Sequence, residues 1–264
     1  MIQLKNIRVA FNQGTPLQVS VLNNISLNIR KGEFVTLIGG NGAGKSTLLN
    51  TLTGDVRPQS GVVSIDDKVI TKWPVHKRAP FIARVFQDPM KGTCPELSVE
   101  ENLALALCRG ENRGIALALS PHTREKIVHH LKDLHLGLER RLKDPVGLLS
   151  GGQRQTLSLL MAILRPMKIL ALDEHTAALD PKTASFVIEL TKKIVEERQL
   201  TTLMVTHSMS HALNVGTRTI MLHHGKIVLD ISGEKRKKLS VPDLLNLFKK
   251  NSGDKIEESS LLLD

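Results

Sequence analysis

The stretch Gly39-Gly40-Asn41-Gly42-Ala43-Gly44-Lys45-Ser46 decides the fold of this chain. It fits the pattern G-x-x-x-x-G-K-[ST], which places a glycine-rich loop between a strand and a helix. The apolar run from Phe34 to Ile38 before it is typical of a buried parallel strand. The helix that the pattern requires is predicted from Lys45 to Thr53, and Gly54 ends it. Strand, loop and helix therefore follow one another in the required order.

This loop has the composition of a phosphate-binding site. Its glycines allow successive backbone N–H groups to face phosphate oxygens, and the helix adds its positive N-terminal dipole. In this pattern Lys45 reaches the β- and γ-phosphates of a nucleotide, and the Ser46 hydroxyl binds Mg²⁺. A glycine-rich turn without a function is the alternative, which the Lys-Ser pair and the strand–helix context disfavour. The predicted ATP-binding residues of the loop are Gly39, Gly40, Asn41, Gly42, Ala43, Gly44, Lys45, Ser46 and Thr47.

The overall composition is that of a globular protein with an anionic partner. The chain has 264 residues, 41% of them apolar and 23% charged, which excludes a disordered or fibrous protein. Its net charge of +10 favours nucleotides, nucleic acid or the face of a lipid membrane as partners. Aromatic residues make up only 3% and tyrosine is absent, which argues against surfaces that bind nucleic acid by base stacking.

Two sequence features bear on cellular location. No stretch approaches the roughly 18 consecutive apolar residues of a membrane-spanning helix, and the N-terminus lacks the apolar block of a signal peptide. Cys94 and Cys108 form neither a disulfide framework nor a zinc-binding spacing, so we expect a reducing, cytosolic compartment. A metal site is not expected at the grouped histidines, which are His129, His130, His135, His223 and His224.

Hydrophobic periodicity predicts an α/β fold with a helical insertion. Strands are predicted at Ile2 to Val9, Val21 to Ile29, Phe34 to Ile38, Val62 to Ile65, Ala83 to Phe86, Ile169 to Leu172, Thr202 to Thr206, Thr219 to His223 and Lys226 to Leu229. Helices are predicted after a capping box at Ser98, and at Lys45 to Thr53, Thr123 to Leu136, Gly151 to Leu164, Thr183 to Arg198 and Val241 to Lys250.

These elements divide the chain into three predicted parts. Residues 1–90 and 166–234 form the core, and residues 91–165 form the helical subdomain. Residues 235–264 form a C-terminal tail, whose basic cluster Lys235 to Lys238 is expected to be solvated. The end of this tail, from Asn251, is expected to be disordered.

A pair of acidic residues follows the predicted strand Ile169 to Leu172. An apolar parallel strand that ends in acids places them at the carboxyl edge of the sheet, where ligands of such folds bind. Asp173 would hold Mg²⁺ through water, and Glu174 would polarise the attacking water. Alone, two acids at a strand end are a weak signal that is more typical of a solvated edge. Together with the glycine-rich loop they indicate nucleotide hydrolysis.

A second group of small residues opens the helix that begins near Gly151. The sequence Leu149-Ser150-Gly151-Gly152-Gln153 precedes Asp173 and offers backbone amides and a hydroxyl to a second phosphate. One chain does not need two phosphate-binding segments for one nucleotide, unless the second segment binds the nucleotide of another subunit. With these residues, the sequence resembles the nucleotide-binding subunits of ATP-binding cassette (ABC) transporters over about residues 1–230.

Three further residues carry this resemblance in the expected order. Gln87 matches the family's Q-loop glutamine, Asp180 its D-loop, and His207 its switch histidine. The resemblance implies that Gln87 senses Mg²⁺ and the attacking water, and that His207 bonds the γ-phosphate. Taken alone, Gln87 and His207 are each more typical of loop residues without a role. The implied catalytic residues are Glu174, His207, Gln87 and Lys45, and the implied Mg²⁺ residues are Ser46, Gln87 and Asp173.

The sequence departs from the family pattern at two positions. Many members carry a tyrosine near the N-terminus that stacks on adenine, and the counterpart here is Phe11, which could equally be a core residue. Many members have proline or alanine after the catalytic glutamate, whereas this chain has His175. This imidazole could tune Glu174 electrostatically, and a position behind the site or on the surface is the simpler interpretation.

The resemblance also implies an architecture and an assembly. The expected fold is a P-loop NTPase core of the ABC type, with a mostly parallel, RecA-like sheet, an N-terminal antiparallel β part and the inserted helical subdomain. Two subunits, as a homodimer or an ABC heterodimer, would enclose two ATP molecules with Mg²⁺. Each glycine-rich loop would then face the signature residues of the other subunit, which are Ser150, Gly151, Gly152 and Gln153.

The implied partners are integral-membrane permease subunits and an extracytoplasmic substrate-binding protein, with no nucleic acid. The subunit would lie at the cytoplasmic face of the membrane and be soluble when isolated. In the family the helical insertion and the Gln87 loop form the docking groove, so the candidates for this contact are Leu97, Val99 and residues 88–94.

The leading functional hypothesis is the ATPase of an importer. The stretch Asp173-Glu174-His175-Thr176-Ala177-Ala178 looks like an importer subfamily associated with amino-acid-like solutes, including aromatic and branched-chain ones. A soluble ATPase of an assembly machine, such as iron–sulfur cluster assembly, is the alternative, together with a lipid or solute exporter ATPase. Nucleic-acid handling is weaker, because the chain has one cassette and no coil-forming insert.

Overall fold

A computed structural model describes residues 1–111, 118–132 and 137–252 of the chain. Its strands are β1 (Ile2–Phe11), β2 (Val19–Ile29), β3 (Phe34–Ile38), β4 (Ser60–Ile65), β5 (Lys68–Val69), β6 (Ile82–Val85), β7 (Ile169–Asp173), β8 (Thr202–Val205), β9 (Arg218–His223) and β10 (Lys226–Ser232). Its helices are α1 (Lys45–Thr53), α2 (Val75–Arg78), α3 (Val99–Leu107), α4 (Pro121–Lys132), α5 (Gly151–Ile163), α6 (Pro181–Glu197), α7 (Met209–Val215), α8 (Gly233–Lys237) and α9 (Val241–Ser252). Within these residues, none of the helices combines the length and the apolar character needed to cross a bilayer.

The strands form two sheets of different character. The first sheet has the order β2-β1-β4-β5, and its strands pair antiparallel. The second has the order β10-β9-β3-β8-β7-β6, in which all pairs are parallel except that of β9 with the edge strand β10. The central strand β3 is buried along its whole length, as expected for a parallel strand covered on both faces. The predicted α/β fold, with a mostly parallel sheet and an N-terminal antiparallel part, is confirmed.

The helical part of the chain lies between β6 and β7. Ser98 caps α3 in the predicted capping box, in which Glu101 N–H donates to the Ser98 hydroxyl and the Glu101 carboxylate accepts from Ser98 N–H. Helix α4 starts two residues before the predicted Thr123. Residues 133–136 of that predicted helix, with His135, lie outside the described residues. The described ends of the other predicted elements differ from prediction by at most three residues.

Three hydrophobic clusters hold the layers together. One lies between the antiparallel sheet, α1 and one face of the parallel sheet, and a second joins the other face to the helices α3, α5 and α6. The side chain of Trp73, in the loop before α2, is half-buried against the first cluster, with its ring 5.9 Å from that of Phe81. Trp73 is therefore a packing residue and not an exposed anchor.

The third cluster includes the predicted helix of the C-terminal tail. Leu244 and Phe248 of α9 are fully buried against Met209 and Met221. The basic cluster begins inside α8, where the buried Arg236 donates hydrogen bonds to the carbonyl oxygens of Ala212 (2.6 Å) and Leu213 (2.9 Å) and to Thr219 Oγ1 (2.9 Å). The prediction that Lys235 to Lys238 are solvated was therefore wrong for Arg236. Its guanidinium is buried because it donates hydrogen bonds to carbonyl groups near the end of α7.

The end of α9 lies beyond the predicted boundary. The helix continues to Ser252, and the Asn251 side chain donates to the carbonyl of Val228 at 3.1 Å. The prediction of disorder from Asn251 onwards was therefore wrong for Asn251 itself. Residues 253–264, with the apolar Leu261 to Leu263, lie outside the described part of the chain.

Candidate nucleotide-binding site

The glycine-rich loop has a backbone that other residues could not adopt without strain. Gly39 and Gly44 have φ angles of +150° and +101°, in the region that favours glycine. A Cβ atom at Gly39 would lie 2.3 Å from the carbonyl oxygen of Leu222, and one at Gly44 would lie 2.8 Å from Leu22 Cδ2. The loop is therefore pressed against β9 on one side and β2 on the other.

Lys45 points into the concave side of this loop. Its ammonium group donates to the carbonyl oxygens of Gly39 at 2.7 Å and Gly40 at 3.1 Å, and the side chain is buried. Burial lowers the pKa of Lys45 from its ordinary value, and the charges of Glu174 and Asp173 oppose this shift. The next residue, Ser46, is exposed in the first turn of α1. The start of α1 thus combines a buried cation with an exposed hydroxyl.

The carboxyl ends of three neighbouring strands bring the predicted catalytic residues to one edge. Asp173 of β7 is in register with Val205 of β8, and Leu172 is in register with Val85 of β6. His207 follows β8 and Gln87 follows β6, so both lie at the edge that contains Asp173. Gln87 is exposed there, and no hydrogen bond joins it to another group of the described chain.

Glu174 and His207 are in direct contact at this edge. His207 Nε2 lies 2.5 Å from Glu174 Oε2, and the Glu174 side chain is nearly buried while His207 is partly exposed. Glu174 has a φ of +46°, which is unusual for a residue with a side chain, and its N–H donates to the carbonyl of Val205 at 3.0 Å. The pair lines a cleft of about 580 Å³ together with Asn41 of the glycine-rich loop. The candidate base, the candidate switch residue and the loop therefore share one cavity.

Asp173 has a partner that the sequence did not reveal. Arg84 Nη2 lies 2.6 Å from Asp173 Oδ2, and Arg84 Nη1 lies 3.1 Å from Asp55 Oδ2. The guanidinium also stacks over the ring of Phe86, 4.5 Å from its centroid. An arginine inside the apolar strand β6 was the available signal, because a buried cation in a sheet needs a nearby acid.

The oxygen donors present at this edge fit Mg²⁺. Mg²⁺ takes hard oxygen ligands and usually binds one or two protein groups, with phosphates and water completing its shell. The Ser46 hydroxyl and the Asp173 carboxylate are donors of this kind. The described residues contain no cluster of three histidine, cysteine or acidic side chains that could hold a metal ion unaided. An ion here would therefore depend on the nucleotide's phosphates.

The residues Ser150 and Gln153 form a capping box at the start of α5. Gln153 N–H donates to Ser150 Oγ at 3.2 Å, and Gln153 Oε1 accepts from Ser150 N–H at 3.2 Å. Gln153 Oε1 also accepts from Arg141 Nη1 at 3.2 Å, so this side chain is committed to its own subunit. Ser150 and Gly151 are exposed and remain accessible to another molecule.

Thr183, which the sequence marked only as the start of a predicted helix, joins two predicted site elements. A Cβ atom on Gly152 would lie 2.2 Å from Thr183 Cγ2, so the start of α5 is packed directly on α6. Thr183 N–H donates to Asp180 Oδ1 at 3.1 Å, which caps α6. This hydrogen bonding lowers the pKa of Asp180. Thr183 therefore contacts both Gly152 and Asp180.

Phe11 lies at the end of the antiparallel sheet that reaches the glycine-rich loop. It is 43% exposed and in register with Val19 at the start of β2, and the same strand contacts Gly44 through Leu22. Phe11 is therefore not a core residue. An exposed ring at this position is available to stack on a base.

His175 is buried, which excludes a surface position for it. It is 2% exposed, and its Nε2 lies 3.1 Å from Thr191 Oγ1 on α6. Thr191 Oγ1 donates to the carbonyl of Val187 at 2.7 Å, so its hydroxyl oxygen accepts from His175 Nε2–H. Burial, together with the neighbouring His211, lowers the pKa of His175 to about 4.

The predicted docking residues separate into accessible and buried ones. Gly92 and the exposed Cys94 line a groove of about 760 Å³ between β6 and the helices α3 and α5, whereas Thr93 in the same groove is only 8% exposed. Val99 is fully buried in the second hydrophobic cluster, so it was a wrong choice as a contact residue. Its position just inside the capping box directs it towards the core.

Comparison with known proteins identifies relatives over most of the chain. The family model described as ABC transporter matches residues 22–177. The tyrosine transport ATP-binding protein of Clostridioides difficile (strain R20291) is 47% identical over 94% of this chain and 98% of that protein. The thiamine import ATP-binding protein ThiQ of Escherichia coli (strain UTI89) is 34% identical over 76% of this chain and 82% of that protein.

Solved structures agree with these sequence relatives. A dimeric, post-hydrolysis state of the ATP-binding cassette MJ0796 bound to ADP and Pi is 33% identical to this chain. The two have a TM-score of 0.76, and the match covers 88% of this chain and 98% of that one.

The contact of Gly152 with Thr183 predicts a compensating pair of substitutions. Gly152→Ala should reduce the free energy of unfolding by about 1–3 kcal/mol, because its methyl group overlaps Thr183 Cγ2. Thr183→Ser removes that methyl group, so the double variant should recover most of the loss in urea unfolding. Thr183→Ser alone is the control. Additive effects in the double-mutant cycle would show that the two residues do not touch.

The buried His175 predicts a pH dependence of stability. The unfolded chain protonates His175 near pH 6.5, whereas the folded chain resists until about pH 4, so stability is lost as pH falls between these values. The loss from this residue is about 3 kcal/mol. His175→Gln keeps a donor for Thr191 and should reduce the pH dependence of urea unfolding by that amount. His122→Gln, at an exposed histidine, is the control, and an equal effect of both variants would contradict the assignment.

Proposed function

This chain belongs to the ABC transporter family as an ATP-binding subunit with ATPase activity, and from this premise we propose that it drives solute import through a separate membrane permease. The proposal assigns the chemistry to the edge of the parallel sheet. The observation that carries it is the contact of Glu174 with His207 in the cavity that also contains Asn41 of the glycine-rich loop.

In the proposed mechanism, Lys45 and the amides of the glycine-rich loop bind the β- and γ-phosphates of ATP. Glu174 accepts a proton from the attacking water, for which its nearly buried carboxylate at the cavity wall is suited. His207 donates a hydrogen bond that orients Glu174 or the γ-phosphate. Ser46 and Asp173 would hold Mg²⁺, with Gln87 as a further candidate ligand, and the ion would neutralise charge on the phosphates. Phe11 stacks on the adenine.

The proposed active unit is a dimer in which the signature residues act on the nucleotide of the partner. Ser150 and Gly151 are exposed at the N-terminus of α5, where backbone amides favour an anion. The dimeric structure of the cassette MJ0796 supports a dimer. Asp180 caps α6 through Thr183, on which Gly152 packs, and would communicate between the two sites. In this proposal, the active unit is a homodimer of this chain or a heterodimer with a second ABC subunit.

The proposed cargo is an amino-acid-type solute, and the proposed direction is inward. The relative named for tyrosine transport supports the solute class, and the relative named for thiamine import supports the direction. The proposed partners are permease subunits that dock in the groove lined by Gly92 and Cys94, and an extracytoplasmic substrate-binding protein. The subunit then lies on the cytoplasmic face of the membrane.

Removal of the Glu174 carboxylate tests the ATPase part of the proposal. Glu174→Gln should retain ATP binding and form a stable dimer in ATP, because the amide cannot accept the proton of water. Turnover should fall by about a hundredfold or more, measured as phosphate release. Glu189→Gln, at an exposed position of α6, is the control. Full turnover in the Glu174 variant would remove this residue from the role of base.

Reconstitution tests the transport part. The chain should co-purify with the permease encoded beside its gene, and the complex in vesicles should take up radiolabelled tyrosine when ATP is present. Retention of the complex without uptake of any amino acid would contradict the solute class. Efflux instead of uptake would indicate an exporter, and co-purification with a soluble scaffold would indicate an assembly ATPase.

A further inference from the structure

Arg84 bridges two carboxylates, and only one of them belongs to the candidate active site. Its Nη2 contacts Asp173, and its Nη1 contacts Asp55, which lies just after α1. The side chains of Arg84 and Asp173 are 15% and 13% exposed, whereas that of Asp55 is 45% exposed. The Arg84–Asp173 pair is therefore largely shielded from solvent, and the Arg84–Asp55 pair is open to it.

The Asp173 carboxylate is thus already neutralised by a cation. At 2.6 Å, Arg84 is in close, charge-assisted contact with the oxygen Oδ2. A divalent cation at the same carboxylate would meet the positive charge of the guanidinium, and partial burial makes this repulsion stronger than in water. Occupation of Asp173 by a metal ion is therefore opposed by Arg84 while this contact persists.

Asp55 provides the means for that change. It is already 3.1 Å from Arg84 Nη1, so the guanidinium retains an acidic partner when its contact with Asp173 is released. Thr53 Oγ1 donates to the same oxygen of Asp55 at 2.5 Å and fixes its orientation. The buried Arg84 Nε has no hydrogen-bond partner in the described part of the chain, so the guanidinium is incompletely satisfied where it is.

We infer that Arg84 is a positioning residue that holds Asp173 while no metal ion is bound and transfers to Asp55 when Mg-ATP binds. This inference rests on the proposed function. Arg84 then stabilises the Asp173 carboxylate in the metal-free state. Each time Mg-ATP binds, the ion pair between Arg84 and Asp173 is released. Arg84 weakens the Mg-ATP complex relative to the metal-free ATP complex, and Asp55 limits that weakening.

The test compares ATP affinities with and without the metal. The dissociation constant of ATP is measured by calorimetry in excess Mg²⁺ and again in EDTA, and the ratio of the two constants gives the enhancement by Mg²⁺. Arg84→Met should raise this enhancement by roughly threefold to tenfold, because Asp173 no longer has to release a cation. Asp55→Asn should lower it by a similar factor, because Arg84 then has Asp173 as its remaining acid. Arg8→Met, an exposed change of equal charge, should leave it unchanged.

The two variants are expected to change the enhancement by Mg²⁺ in opposite directions. This distinguishes a transfer of Arg84 to Asp55 from an Arg84 that stays bound to Asp173. If Arg84 only holds Asp173 in the right place, Arg84→Met lowers the enhancement and Asp55→Asn leaves it unaltered, and either result overturns the inference. Should Arg84→Met not fold, Asp55→Asn decides alone, because it changes an exposed side chain. A wild-type chain that does not bind ATP contradicts the proposed function, whereas normal binding with unaltered variants contradicts only the role of Arg84.

Discussion

The parallel alignment of β3, β8, β7 and β6 is the constraint on which the site depends. Since parallel strands end at the same edge, the glycine-rich loop after β3, Glu174 after β7 and His207 after β8 meet there without any further device. The helices and the antiparallel sheet bury the two faces of the parallel sheet and keep its register. The antiparallel sheet also reaches the glycine-rich loop, where β2 packs against Gly44. The order and direction of the strands therefore determine which residues meet at the candidate active site.

In the described part of the chain, Lys45 is a buried cation at this edge that no carboxylate contacts. Asp173 is paired with Arg84, and Glu174 with His207. Lys45 bonds only to the carbonyl oxygens of Gly39 and Gly40 in the described chain, although it is buried. A buried ammonium group that lacks a carboxylate is electrostatically unsatisfied, and an anion that enters the loop relieves this. The site is thus arranged for a negatively charged ligand before any ligand is present.

The sequence predicted the parts of the molecule that local rules govern. The glycine-rich loop, the capping box at Ser98, the helix start at Gly151 and the acids after β7 each follow from neighbouring residues. The roles of Arg84, Thr183 and Arg236 could not be predicted, because their partners are distant in sequence. Arg84 and Asp173 are 89 positions apart, and their contact exists only because β6 pairs with β7. The burial of His175 likewise depends on how α6 packs.

The packing of Trp73 against Phe81 has a practical consequence for spectroscopy. The chain contains one tryptophan and no tyrosine, so its fluorescence above about 300 nm comes from a single indole. That indole lies on the first hydrophobic cluster, which is shared by the antiparallel sheet and α1. A change in its emission reports on that layer alone and not on the helices between β6 and β7. The molecule thus carries an intrinsic optical probe that distinguishes loosening of one layer from unfolding of the whole.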